Sequence, residues 1–190
     1  MSRRIFIAID ISEEARRRVS EYIAALRREF PNLRIGWEKP EKLHLTLKFL
    51  GETNEKQMTG LIDIAEKIAA QFGSFPVRIA ETGVFQSLRN PRILWLGVRD
   101  ETYSLSKISE LLEIKAERIG FTRERRKFKA HLTIARLREP HRSLDIAKRH
   151  LENKFEPVVF EASEIVIYES RLQPSGSVYS VVSKQKFARE

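Results

Sequence analysis

A repeated four-residue phrase holds two of the four histidines of this 190-residue chain. The phrase is HLTL at 44–47 and HLTI at 131–134. Alternate side chains of an extended strand share one face, so each copy places an imidazole beside a threonine hydroxyl. The ordinary pKa of histidine lies near neutrality, so one imidazole can act as a base while another acts as an acid. Two such strands facing each other therefore predict a symmetric pair of proton-transfer groups.

The elements predicted around the two phrases recur with a constant shift, since the histidines at 44 and 131 are 87 positions apart. The first half predicts a strand at 4–10, a helix from Ser12 to Phe30, strands at 33–37 and 43–50, a capped helix from Asn54, and an extended segment at 75–85. The second half predicts a strand at 93–98, a helix at 102–119, a strand at 130–137, a helix at 144–152, and a hairpin of strands 164–168 and 177–187 turning at 174–176. A strand, helix, histidine strand and helix are thus used twice. We predict one domain, residues 1–190, of two pseudo-symmetric lobes that each contribute one His-x-Thr-x strand.

The composition limits the available chemistry and the expected partners. With no cysteine, the chain cannot use disulfides, thiolate metal sites or a cysteine nucleophile. Its formal net charge of +9 favours a polyanionic partner, because each neutralised phosphate releases counterions. The chain has no run of about 18 apolar residues that could span a bilayer, and its first residues (MSRR) lead into a strand without a cleavage-site pattern. We expect a cytoplasmic protein without a membrane partner.

Four segments together resemble the 2H phosphoesterase superfamily, and specifically the RNA 2′,3′-cyclic phosphodiesterases first described as 2′-5′ RNA ligases. They are HLTLKFLG at 44–51, HLTIARLR at 131–138, RIFIAID at 4–10 and RILWLG at 92–97. The resemblance covers essentially the whole chain. It implies a bilobal α+β fold in which a pseudo-two-fold duplicated unit forms two antiparallel sheets. These sheets are expected to form a V-shaped central cleft, with the helices on the outside.

The resemblance also implies a reaction, the hydrolysis of a 2′,3′-cyclic phosphate at an RNA end to leave a 2′-phosphate, without metal or cofactor. By similarity, His44 is the proton donor to the departing 3′ oxygen and His131 is the proton acceptor that activates water. Thr46 and Thr133 match the motif hydroxyls that bind phosphate oxygens. Arg136 matches a family arginine near the phosphate. In-line attack at phosphorus suits an acid and a base on opposite walls of a cleft.

Strand alternation does not decide which of two basic residues, Lys48 or Arg136, contacts the phosphate. In a regular strand Lys48 is in phase with His44 and Thr46, whereas Arg136 is out of phase with its own histidine. Either the second strand bulges or ends before Arg136, or Lys48 takes this role. The resemblance favours Arg136.

Aromatic side chains are candidates for stacking on a terminal base, because their faces bind single-stranded RNA with little sequence preference. The candidates are Phe6, Trp37, Trp95, Phe128 and Tyr168. Phe6 and Tyr168 are favoured because their strands are expected to border the cleft, while Trp95 lies in an apolar strand and is expected to be buried. Arg92, at the start of that strand, is a further candidate for a phosphate contact or cleft lining.

The other two histidines, His141 and His150, have no recurring context and are predicted to be surface residues. Two histidines on separate strands without a third histidine or a carboxylate cluster do not meet the usual ligand count of a metal site. We therefore expect no metal.

Two alternatives to hydrolysis remain open from the sequence. The same displacement run backwards, with a ribose hydroxyl replacing water, joins RNA ends through a 2′-5′ linkage. A protein of a different class, a non-catalytic RNA-end-binding module, would use the cleft only to hold a phosphate. The sequence defines neither the RNA that is met in the cell nor the oligomeric state, for which a monomer is expected.

Overall fold

The computed structural model describes residues 2–174 and 176–188. In these residues the first half of the chain forms β1 (Arg3–Asp10), α1 (Glu13–Glu29), β2 (Ile35–Trp37), β3 (His44–Thr53), α2 (Glu55–Ala69) and β4 (Phe75–Ser87). The second half forms β5 (Asn90–Arg99), α3 (Ser104–Glu117), β6 (His131–Leu137), α4 (Leu144–Glu152), β7 (Val158–Ala162), β8 (Glu164–Gln173) and β9 (Gly176–Lys186). Short 3₁₀ turns lie at Pro40–Lys42 and Pro140–Arg142.

The strands form two antiparallel sheets, which confirms the predicted α+β class. The first sheet has the order β3-β1-β8-β9, and the second has the order β2-β6-β5-β4-β7. Helices α2 and α3 pack against strands of the first sheet, whereas α1 and α4 pack against strands of the second. Each sheet contains one histidine strand, β3 in the first and β6 in the second. No helix in the described part of the chain has the length and apolar character needed to cross a membrane.

Strands β4 and β8, which correspond in the repeat, each join the sheet that holds the histidine strand of the other half. A shift of 87 positions maps β4 onto β8, yet β4 pairs with β5 in the second sheet and β8 pairs with β1 in the first. Each sheet is therefore built from both halves of the sequence. The turn predicted at 174–176 includes Ser175, which lies outside the described residues.

Local sequence explains the helix that follows β3. The Asn54 side chain accepts the backbone N–H of Gln57 at 2.9 Å, and the Gln57 side chain accepts the Asn54 N–H at 3.1 Å. This reciprocal pair is the capping box predicted from the sequence, and it satisfies two backbone donors that a helix start otherwise leaves free. Apolar residues at helical spacing bury one face of α2 in the core: Met58, Leu61, Ile64, Ala65, Ile68 and Ala69.

The prediction that His150 is a surface residue is wrong, because its side chain is fully buried. It lies one helical turn after Ile146, on the face of α4 that packs against the second sheet. Its Nδ1 lies 2.9 Å from the Tyr22 hydroxyl, and its Nε2 lies 3.1 Å from the Trp95 carbonyl oxygen. Burial lowers the pKa of His150, so the neutral ring is favoured in the fold. His141 is exposed, as predicted.

A buried ion pair fixes the segment that leads into β6. Lys48 on β3 is only 4% exposed, and its Nζ lies 2.5 Å from Glu113 Oε2 on α3. The same ammonium donates to the Thr122 carbonyl at 3.2 Å, and Glu113 accepts the backbone N–H of Glu124 at 2.9 Å. The pair therefore joins a strand, a helix and the start of the following loop.

Replacing Lys48 by methionine should test this anchor, because it leaves the Glu113 carboxylate without its cation. We expect the free energy of unfolding in urea to fall by about 3 kcal/mol, since breaking a buried pair strands the remaining charge. The double variant Lys48→Met, Glu113→Leu should recover most of the loss. Lys67→Met, which breaks a pair between two exposed side chains, should cost less than about 1 kcal/mol. Equal losses for Lys48→Met and Lys67→Met would contradict the anchor.

Candidate active site

Each histidine strand contains one extra residue directly after its motif threonine, and this bulge decides which side chains reach the cleft. Ala8 pairs with Thr46 and Ile7 with Lys48, so Leu47 has no partner on β1; a second irregularity, further along β3, skips Leu50. Trp95 pairs with Thr133 and Leu94 with Ala135, so Ile134 is the unpaired residue of β6. The two bulges are 87 positions apart, as are the histidines.

The bulges reverse the alternation beyond each threonine. Lys48 turns to the core side and pairs with Glu113, which corrects the expectation that Lys48 shares the face of His44. Arg136 and its counterpart Phe49, five residues after each histidine, are instead exposed on the histidine face. The sequence left two alternatives open, and a bulge in the second histidine strand is the one that lets Arg136 lie near the phosphate. Phe49, which is 70% exposed, was missed because a regular strand places it on the opposite face.

The two imidazoles are held in the same way. His44 Nδ1 lies 2.6 Å from the Lys42 carbonyl oxygen, and His131 Nδ1 lies 2.7 Å from the Lys129 carbonyl oxygen. A carbonyl oxygen only accepts, so Nδ1 carries a proton in each ring and Nε2 is the atom that gains or loses one. Nε2 of His44 lies 2.9 Å from Thr46 Oγ1. In both histidines, Nε2 is therefore the ring nitrogen that can take part in proton transfer.

The two sheets meet at the histidine strands, since β3 contacts β6. A groove of about 960 Å³ is lined by Thr46 from the first sheet and His131 from the second. Phe49 and Arg92 line the same groove, which places the exposed Arg92 at the cleft. One motif residue from each repeat therefore lines the same groove.

The electrostatic surroundings of the two histidines differ. Burial lowers the pKa of His44, and Arg136 and Arg16 lower it further, whereas the nearby Asp10 carboxylate opposes these effects by favouring the charged ring. Burial also lowers the pKa of His131, and the positive charges of Lys129 and Arg136 lower it further. The repeat places Gly97 opposite His131, where Asp10 stands opposite His44. Asp10 therefore acts on His44 and has no counterpart at His131, while burial lowers the pKa of both rings.

Asp10 is fixed by a tyrosine from the other half of the chain. The Tyr168 hydroxyl donates to both Asp10 carboxylate oxygens, at 2.7 and 2.8 Å. Burial and the adjacent carboxylate raise the pKa of Tyr168, so the phenol keeps its proton. Across the cleft, Arg136 Nε lies 3.6 Å from Glu38 Oε1. Burial raises the pKa of Glu38, although Arg136 opposes this effect.

The expectation that Phe6 stacks on a terminal base is wrong, because Phe6 is only 2% exposed. Its ring packs beneath His44 at a centroid distance of 4.8 Å and beside Tyr168 at 5.2 Å. Tyr179 on β9 closes this aromatic cluster, with its ring edge-on to His44 at 5.6 Å. Phe6 therefore supports the imidazole from below. Tyr179 was missed by the sequence because nothing in its strand marks the distant β9 as a neighbour of His44.

The second sheet has its own aromatic support. Phe85 meets His131 edge-on at a centroid distance of 4.6 Å and lies 5.2 Å from the Trp95 ring. Trp95 is 6% exposed, in agreement with its predicted burial, and its ring lies over Gly83, where any Cβ would overlap it. The buried Trp95 Nε1 has no hydrogen-bond partner among the described residues. Within residues 2–174 and 176–188 no group of three or more histidine or acidic side chains is placed to hold one metal ion.

Comparison with known proteins agrees with the repeat. The family model described as LigT-like phosphoesterase matches the chain twice, at residues 9–95 and 96–179, with starts 87 residues apart. A Thermotoga maritima protein named RNA 2′,3′-cyclic phosphodiesterase is 33% identical over 185 residues, covering 97% of this chain and 95% of that protein. A Methanothermobacter thermautotrophicus protein of the same name is 30% identical over 183 residues, covering 95% and 96%.

A solved structure shows the same architecture. The crystal structure of a Thermus thermophilus protein superposes with a TM-score of 0.81 at 25% identity, covering 98% of this chain and 99% of that one. Because the family model covers both repeats, the chain belongs to the LigT-like phosphoesterases, the 2H phosphoesterase family that its two histidine motifs predicted.

Proposed function

We propose that this protein hydrolyses the 2′,3′-cyclic phosphate at an RNA end to a 2′-phosphomonoester, using two histidines and neither a metal nor a cofactor. The observation that carries this proposal is the pair of matched imidazoles, each held at Nδ1 by a carbonyl oxygen, on two sheets that meet at their strands. An acid and a base on opposite walls suit in-line displacement at phosphorus. The names of the relatives in Thermotoga maritima and Methanothermobacter thermautotrophicus support this substrate.

The reaction needs one proton taken and one proton given. His131 Nε2 accepts a proton from water as the water oxygen bonds to phosphorus. The bond between phosphorus and the 3′ oxygen breaks, and His44 Nε2 donates its proton to that oxygen. The 2′ oxygen keeps its bond to phosphorus, so the product is a 2′-phosphate.

The unequal surroundings of the two histidines support this assignment of donor and acceptor. A donor must hold its proton until the 3′ oxygen leaves, and the Asp10 carboxylate favours the charged form of His44. An acceptor must be neutral beforehand, and the charge of Lys129 favours the neutral form of His131, whereas Arg136 lowers the pKa of both histidines. Asp10 and Tyr168 thus act through His44 as positioning residues.

The reaction also needs donors that stabilise the charge developing on the non-bridging phosphate oxygens, and hydroxyl and guanidinium groups can do this. Thr46 and Thr133 share the faces of their histidines, and the bulge in β6 adds Arg136 to the same face. We assign these three residues to phosphate binding. Crystal structures of Escherichia coli LigT, which has the same fold, contain 3′-AMP in one case and phosphate in another, and this supports a nucleotide phosphate in the cleft.

Alanine at His44 or His131 should lower kcat on an RNA ending in a 2′,3′-cyclic phosphate by about 10²- to 10⁴-fold, because each removes one proton transfer. The assay contains a chelator and identifies the phosphomonoester formed. His141→Ala removes an exposed histidine and should leave the rate unchanged. A 3′-phosphate product would overturn the assigned leaving group, and full activity of both alanine variants would favour the non-catalytic binding module.

The dependence of kcat/KM on pH should be bell-shaped, with its maximum on the acid side of about pH 6.5, the ordinary pKa of histidine. The rate falls as pH drops through the lowered pKa of His131, because the acceptor becomes protonated. It also falls as pH rises through the lowered pKa of His44, because the donor loses its proton. A maximum well above pH 7 for the free enzyme would contradict these directions.

Asp10→Asn should move only the alkaline limb of that profile. Without the carboxylate the pKa of His44 falls further, so at pH 8 we expect kcat/KM to be about 3- to 10-fold lower than in the parent. The acidic limb, which reports His131, should stay in place. Tyr168→Phe keeps the carboxylate but frees it from its hydrogen bonds, and should give a smaller shift in the same limb. An equal loss at every pH would indicate a structural role for Asp10.

A further inference from the structure

The segment between α3 and β6 concentrates positive charge beside His131. Residues 123–129 read RERRKFK, with five basic residues and one glutamate. We call Arg123 to Lys129 the basic segment. It forms neither helix nor strand, and every one of its residues lines the groove that contains Thr46 and His131. Apart from the effect of Lys129 on His131, the two-histidine reaction does not use this charge.

Most of this charge is not neutralised within the protein. Among the described residues, Arg123, Arg125 and Lys127 are exposed and have no carboxylate within 4.0 Å, whereas Arg126 pairs with Glu124 at 3.3 Å. Lys129 lies nearest to the histidine in sequence, and its Nζ is 4.0 Å from the centroid of the Trp95 ring. Unpaired cations lining a groove are a binding surface for a polyanion.

These cations line the approach to the second histidine. Four of them, at 123, 125, 127 and 129, lie on the stretch of chain that leads to the histidine at 131, so an anionic strand bound along it would reach the site. Three phenylalanines line the same groove, Phe49, Phe85 and Phe128, and aromatic faces can stack on bases without sequence preference.

The basic segment is also held in place before any ligand binds. The buried Lys48–Glu113 pair fixes its start through the Thr122 carbonyl and the Glu124 N–H. Its end continues directly into β6, where the Lys129 carbonyl accepts the His131 Nδ1–H. A preorganised surface loses less conformational entropy when it binds.

We propose that the basic segment binds the phosphodiester backbone of the nucleotides that precede the terminal phosphate of a single-stranded RNA. This inference rests on the proposed function, and it deepens that function by making an RNA strand, rather than a cyclic mononucleotide, the preferred substrate. The terminal phosphate lies between the histidines, and the preceding nucleotides continue along Arg123, Arg125 and Lys127.

The test compares the parent with the triple variant Arg123→Gln, Arg125→Gln, Lys127→Gln. The matched control, Arg27→Gln, Arg28→Gln, Lys148→Gln, removes three exposed cations from the outer helices α1 and α4. One measurement is the ratio of kcat/KM for a decaribonucleotide ending in a 2′,3′-cyclic phosphate to kcat/KM for a cyclic mononucleotide. A second is the anisotropy of a 5′-fluorescein decaribonucleotide ending in a 2′-phosphate, titrated at several salt concentrations.

We expect the parent to favour the decaribonucleotide by at least tenfold in kcat/KM, and the triple variant to lose most of this preference through a higher KM. Its affinity in the anisotropy titration should fall by at least tenfold. The slope of log K against log salt should become shallower by about 2, since each phosphate contact on a single strand contributes about 0.7. The control variant should match the parent in all three measurements.

The two proposals can fail separately. If the parent hydrolyses neither substrate but still binds the decaribonucleotide, and the triple variant does not, the proposed function fails and the basic segment keeps its role. If the triple variant binds as tightly as the parent, the inference is overturned whatever the activity. A blunt RNA duplex bound as tightly as the single strand, with the same loss in the triple variant, would also overturn it.

Discussion

The cleft depends on one extra residue in each histidine strand. A regular strand would place Lys48 beside His44 and would turn Arg136 away from His131. The unpaired Leu47 and Ile134 reverse this alternation after each threonine. Lys48 thereby faces the core and anchors the loop after α3, while the guanidinium of Arg136 faces the cleft. The same backbone irregularity thus shapes the site and supports the surface beside it.

Around these matched bulges, the two repeats differ in the residues that surround the histidines. Asp10 faces His44 where Gly97 faces His131, and Phe49 occupies the position that Arg136 has in the second repeat. The backbone supplies equal geometry, with Nδ1 of each imidazole bound to a carbonyl oxygen two residues earlier. The surroundings distinguish the two rings, since Phe6 stacks on His44 beside the Asp10 carboxylate while Phe85 meets His131 edge-on. A duplicated fold can therefore position an acid and a base that share a residue type but not a protonation state.

The sequence predicted the features that follow from local pattern. The helices, the capping box at Asn54 and the 87-residue repeat came from periodicity and spacing. What it missed depends on tertiary contacts. His150 is buried because the face of α4 that carries it packs on a sheet, and the polar ring finds partners only in Tyr22 and distant carbonyls. Val158–Ala162, which forms β7, was not predicted because its pairing partner β4 lies about 80 positions earlier. The bulges leave no mark in an alternating apolar pattern, so the resemblance to the family was needed to favour Arg136.

The exchange of β4 and β8 makes the two halves of the chain mutually dependent. A fragment ending after β4 would contain β1 and β3 but would leave both β4 and the free edge of β1 without partners. Two copies of one such fragment could cover these edges by trading their last strands, as domain-swapped dimers do. The corresponding three-stranded cores, β3-β1-β8 and β6-β5-β4, have the arrangement that a swapped homodimer of half-length subunits would have after a peptide link joined them. Covalent linkage then frees each copy to acquire its own charges, which a homodimer of identical subunits cannot do.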